Sequence, residues 1–163
     1  MTNHQLTNFT EETLRTTQSA WEALMDEDAF QVEFDPVFEW ARAHLVYVDG
    51  DSAAFGMFNT DTGKADAIVE IVKSKKGTMA KMLRVILSPR FWDINNQRSE
   101  LIELYVSTII QVITSNGFKS LHKVKMYGRD DEMMSVLRSI HSKWDYDRSR
   151  AEFEGRFLTI SWD

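Results

Sequence analysis

Apolar and polar residues follow two rhythms along the chain, and the changes of rhythm divide it into elements. From Thr10 the spacing is helical: Leu14, Trp21, Leu24 and Met25 share a face, Thr10 suits an N-cap, and Glu11 and Glu12 put acids in the first turn. A second helix is predicted from Asp35-Pro36, with aspartate as cap and proline at the first helical position, through Trp40 to about His44. The period then shortens. Residues 45–48, 53–58, 65–72 and 78–87 read as four strands of an antiparallel meander, joined by turns at Asp49-Gly50-Asp51, at residues 59–63 and at a basic tip over residues 73–77.

After Pro89 the helical period returns. Leu101, Leu104, Tyr105, Ile109, Val112 and Ile113 make a wide apolar face, and Asn116-Gly117 gives a stop. Residues 121–127 read as a strand, 130–144 as a helix, and 146–153 with 156–162 as a closing hairpin around Glu154-Gly155. A strand, a long helix and a returning strand make a βαβ crossover, which predicts one parallel pair inside an otherwise antiparallel sheet.

Composition narrows the class. The chain has 163 residues, 43% of them hydrophobic, and no cysteine. That length suits one domain, residues 1–163, and no repeat or Gly/Pro/Ser-rich linker divides it. Cysteine zinc sites, thiol nucleophiles and disulfide scaffolds are excluded. Apolar runs fall short of the ~20 residues of a membrane span, and residues 1–9 lack the pattern of a signal peptide, so a soluble cytoplasmic protein is expected. The net charge of −6 averages two unlike halves: residues 1–70 carry 3 bases and 14 acids, and residues 71–163 carry 16 bases and 11 acids. The basic charges are spread through patterned segments and form no block, which favours an anionic ligand or pairing between the halves over nucleic acid.

This order of elements resembles the GCN5-related N-acetyltransferase (GNAT) superfamily. Its most local piece is Leu87-Ser88-Pro89-Arg90-Phe91, similar to the end of that family's fourth strand. The resemblance implies an α+β fold with a mixed, mostly antiparallel central sheet of about six or seven strands and helices on both faces. It also implies acetyl-CoA between a splayed fourth and fifth strand, with the pyrophosphate on backbone N–H groups at the start of the next helix. On this chain the cofactor residues would be Leu83, Arg84, Val85, Ile86 and Leu87 on the strand and Asn95, Asn96, Gln97 and Arg98 at the turn.

The sequence departs from the family where chemistry is concentrated. Residues 92–97 keep none of the consensus positions of the cofactor loop: Trp92 stands for the Gln or Arg, Asn95 for the first glycine and Gln97 for the last, while Asp93 adds a negative charge. Arg90 and Arg98 would offset that charge. Val136 or Leu137 falls where many family members carry a general-acid tyrosine, and Lys81 falls near their catalytic carboxylate. Glu70 and His122 are the substitutes available for catalysis. The other histidines have no metal-ligand spacing, and no metal is expected.

The leading expectation is therefore a GNAT-fold protein whose degenerate loop has given way to binding another macromolecule. The partner would be a protein, met by Phe91, Trp92 and the basic half, or a second copy met by the last strands. The resemblance extends loosely to acetyltransferase-like proteins of tailed phages, some of them virion components. The alternative is an active, divergent N-acyltransferase using acetyl-CoA, with Glu70 or His122 assisting deprotonation and proximity supplying much of the rate. A third reading, DNA mimicry by the acidic first 70 residues, rests on charge alone.

Overall fold

A computed structural model describes residues 3–48, 50–74, 76–92, 94–114, 121–146 and 148–162, with the backbone only for 94–96. The elements are β1 (His4–Asn8), α1 (Glu11–Glu22), α2 (Glu27–Glu33), α3 (Asp35–Ala43), β2 (Ser52–Asn59), β3 (Ala65–Lys73), β4 (Met79–Leu87), a 3-10 turn (Pro89–Phe91), α4 (Ile94–Thr114), β5 (Lys123–Tyr127), α5 (Asp131–Lys143), β6 (Ser149–Glu154) and β7 (Phe157–Trp162). The strands form a seven-stranded sheet in the order β1-β2-β3-β4-β5-β7-β6. Only β4 and β5 run parallel, and the remaining pairs are antiparallel.

One expected cap is not made: α3 begins at Asp35 itself, Phe34 stands at its N-cap with no side-chain hydrogen bond, and Asp35 lies in the first turn. Thr10 makes a capping box with Thr13, and Asp26 and Asp130 accept from the backbone N–H groups of Ala29 and Met133. Asp26 starts α2, a short helix that the apolar spacing does not announce, so three helices precede β2 where two were expected. A second correction concerns residues 45–48, which form no strand. β1, unforeseen in the polar stretch HQLTN, takes the edge of β2 that they would need, and β3 occupies the other edge. Val46 and Val48 are left exposed. β1 is held from behind as well: Gln111 of α4 donates to the His4 carbonyl at 2.7 Å and accepts from the Leu6 N–H at 2.5 Å. The Asn116-Gly117 stop lies outside the described residues.

Each face of the sheet has its own core. On the first face α4 and α5 pack Leu101, Leu104, Tyr105, Ile109, Val136, Leu137 and Ile140 onto Val69, Ile71, Met82, Val124, Met126, Leu158 and Ile160. On the second face α1, α2 and α3 cover β2 and β3 with an aromatic group in which Trp21 meets Phe34 and Phe38 edge-on, each at 5.3 Å between centroids. Trp21 Nε1 also donates to the Ala65 carbonyl at 3.0 Å, which fixes this layer to β3.

Candidate functional site

The parallel pairing is short. It joins Met79 to Lys123, Ala80 to Val124, Lys81 to Lys125 and Met82 to Met126, and then stops. β4 continues beside β3 as far as Leu87, opposite Ala67, so residues 83–87 present an edge with no strand against it. A bulge marks the parting point: Arg84 faces Glu70 and Met82 faces Ile71, leaving Leu83 as the extra residue. Backbone N–H and C=O groups on such an edge are free to pair with an extended ligand.

The gap opens into a cleft whose enclosed part measures about 60 Å³, lined by residues 82–86, Tyr105 of α4, Met126, Tyr127 and Arg129 at the end of β5, and Met133 and Leu137 of α5. That room suits a small acyl-sized group, since whole drug-sized ligands need ~300 Å³ or more. The residues expected to hold the strand arm of the cofactor fall along this edge. Leu83, Arg84, Val85 and Ile86 line the cleft, and Leu87 ends the same edge.

Tyr105 is the feature that sequence reasoning missed. It is 1% exposed, and its hydroxyl has no hydrogen-bond partner among the described residues. Burial raises the pKa of this hydroxyl, and the Asp130 carboxylate pushes it the same way, so it stays protonated as a donor. A tyrosine within an apolar helical stripe was the available signal, because a buried phenol usually finds a partner. Of Val136 and Leu137, the two residues that fall where the family resemblance implies a general-acid tyrosine, Leu137 lines the same cleft from the neighbouring helix.

The remaining candidates are scattered. Glu70 accepts from Arg84 Nε at 2.7 Å, and the Arg84 guanidinium lies over the Trp40 ring at 4.6 Å, so this pair belongs to the second face beside α3. His122 precedes β5 at the opposite end of the strand from the cleft, roughly 13 Å away at ~3.3 Å per residue. Phe91 is buried in the core of the first face, with the Arg90 guanidinium over its ring. Trp92 is 56% exposed and stacks on Phe34 at 6.0 Å, on the other side of the sheet. Neither ring is among the residues lining the cleft.

Arg90 and Arg98 have internal employment. Arg90 binds Asp66 through two hydrogen bonds, at 3.0 and 2.8 Å, and Glu100 through a third at 2.9 Å. Arg98 donates to Ser135 and Ser139 of α5. The helical backbone of α4 begins at Ile94 and is broken at Gln97 (φ −117°, ψ 16°), so a regular helix starts at Arg98. Asp93 and the side chains of Asn95 and Asn96 lie outside the described residues.

No protein-family model matches the chain, and no curated protein matches it. Solved structures do. An acetyltransferase of the GNAT family from Bacillus anthracis is similar at a TM-score of 0.55, over 98% of this chain and 93% of that one, with 9% sequence identity. A chimeric spermidine N-acetyltransferase from Vibrio cholerae and hSSAT is similar at 0.51, over 98% and 93%, with 14% identity. An acetyltransferase from Thermus thermophilus gives 0.50 over 98% and 96%, with 11% identity. The chain has the GNAT fold, in a divergent form. These neighbours lend nothing to a phage or virion role. Among the described residues no helix is long and apolar enough to cross a membrane.

Proposed function

We propose that the chain is a divergent acyltransferase that transfers an acyl group from acetyl-CoA or a related acyl-CoA to an amine. Fold alone does not fix an activity. What carries the reading is the β4 edge beyond Met82, left without a strand partner and facing a cleft lined by Tyr105, whose buried hydroxyl has no partner among the described residues. A protein that kept the fold only to bind a macromolecule would have no reason to keep this gap open, and Trp92 does not fill it.

In this reading the acyl group enters the cleft and the pantetheine arm lies along the open β4 edge. Backbone groups of Leu83, Arg84, Val85, Ile86 and Leu87 would hold it, and Met126, Met133 and Leu137 supply apolar walls that exclude water. The phosphates would fall to backbone N–H groups at the start of α4, near Asn95, Asn96 and Gln97, because Arg98 is committed to α5. When bound, the thioester supplies an activated acyl group: amine and thioester give amide and free thiol, with no oxidant or reductant needed. Tyr105 Oη keeps its proton and is a donor with no competing partner among the described residues, on a residue that lines the cleft. Glu70 is occupied by Arg84 on the second face, and His122 is too distant to take part. Acceleration would then come chiefly from placing a neutral amine within reach of the thioester.

Calorimetric titration with acetyl-CoA tests this. Binding in the micromolar range is expected, and no heat at millimolar ligand would overturn the reading.

A further inference from the structure

Beyond β4 the helical layer of the second face stops. The apolar cluster beneath α1, α2 and α3 reaches β4 only through Ile86 and contains no residue of β5, β6 or β7. The uncovered face there carries Lys81 on β4, Lys123, Lys125 and Tyr127 on β5, and Phe157 on β7, and β6 at its far edge adds Arg150, Glu152 and Glu154. Lys81 stands directly opposite Lys125 in the parallel register. Both ammonium groups lie over the same Phe157 ring, 5.6 and 5.7 Å from its centroid.

Like charges facing each other across a sheet work against folding, so stability gives no reason for this pair. Lys125 is neutralised by Glu154 at 2.6 Å. Glu154 also feels Lys123 across the face, but among the described residues neither Lys81 nor Lys123 has an ion-pair partner of its own. The basic strip continues past both ends of β5. At one end Lys76, His122 and Lys123 border a hollow of about 420 Å³ over Met79, with no acid in its lining. At the other end Arg129 stands at the mouth of the cleft.

We propose that this face is where the acyl acceptor docks, and that the acceptor is an acidic polypeptide segment whose amine is delivered to the cleft beside Arg129. The proposal rests on the acyl-transfer reading and names its substrate class. The strip repels a polyamine and attracts carboxylates. The five residues of β5 span about 16 Å at ~3.3 Å each, enough to seat roughly five residues of an extended chain. A nucleic acid is the weaker fit, since it brings no aliphatic amine.

Fluorescence anisotropy on the full chain tests the docking, with three probes: a peptide of one alanine followed by nine glutamates, labelled at its C-terminus; the matching lysine peptide; and a ten-nucleotide single-stranded DNA. The glutamate peptide should bind best, should weaken with added salt, and should lose about five- to tenfold in affinity in the double variant Lys81→Gln, Lys123→Gln. These substitutions relieve like-charge repulsion, so the variant should stay folded, which circular dichroism checks. An affinity untouched by the double variant, or tighter binding of either other probe, overturns the proposal. Acetyl-CoA calorimetry on the same samples separates the two ideas. Cofactor binding without peptide binding overturns the docking proposal alone. Peptide binding without cofactor binding overturns the acyl-transfer reading and the acceptor role with it.

Discussion

Replacing Asp66 by asparagine should destabilise the fold by about 2 kcal/mol at neutral pH and by almost nothing near pH 2. The carboxylate, 12% exposed, accepts from His4 Nε2 at 2.7 Å and from Arg90 Nε and Nη2 at 3.0 and 2.8 Å. Burial alone would raise its pKa, but the hydrogen bonds from His4 and Arg90 and the charge of Arg90 outweigh burial and bring it from 3.8 to about 2. At about 1.4 kcal/mol per pH unit this difference gives the figure above, an upper value because solvent still reaches the group. The folded pKa lies below the unfolded one, so the stabilisation is fully present above pH 3.8 and disappears as the pH falls through 2. Arg90 keeps Glu100 at 2.9 Å, so the variant strands no charge. Urea unfolding of both proteins between pH 7 and pH 2 measures the gap. A gap that persists undiminished at pH 2 would refute the reasoning. The site is worth probing because it ties β1, β3 and the turn after β4 to α4, and that turn leads into the cleft.

Three further outcomes are expected. Tyr105→Phe removes a buried hydroxyl that has no partner, so thermal melts should show stability unchanged or raised by up to ~1 kcal/mol, while thiol release from acetyl-CoA should slow by about 10- to 100-fold; a loss of stability with turnover intact would reverse the assignment. Gly128→Ala would put a Cβ 2.1 Å from Met134 Sδ and 3.3 Å from the Arg156 carbonyl. The methionine can swing away but the carbonyl is backbone, and a melt should show a loss of about 1–3 kcal/mol. Trp92→Ala, at a ring stacked only on its rim against Phe34, should change stability by less than ~1 kcal/mol and leave acetyl-CoA binding unaltered; a larger loss of binding would return Trp92 to the cofactor site.

Periodicity is a local property that each segment carries alone, so most elements and their order could be read along the chain. The stripe from Leu101 to Val112, the caps at Thr10 and Asp130, and the strand around Val124 are legible without knowing what they touch. The splayed strand was legible too, as a resemblance resting on Pro89 and on the crossover. Pairing was left to the folded molecule. β1 displaced residues 45–48 from the edge of β2 because a strand edge accepts one neighbour, and HQLTN meets Gln111 from more than a hundred residues away. Arg90 and Arg98 looked free to offset Asp93 until Asp66, Glu100, Ser135 and Ser139 closed around them. Tyr105 looked like one more core residue until folding placed it in the lining of the cleft and left its buried hydroxyl without a partner among the described residues. A side chain's type is written in the chain, but whether it is satisfied depends on groups that only folding brings within about 3 Å.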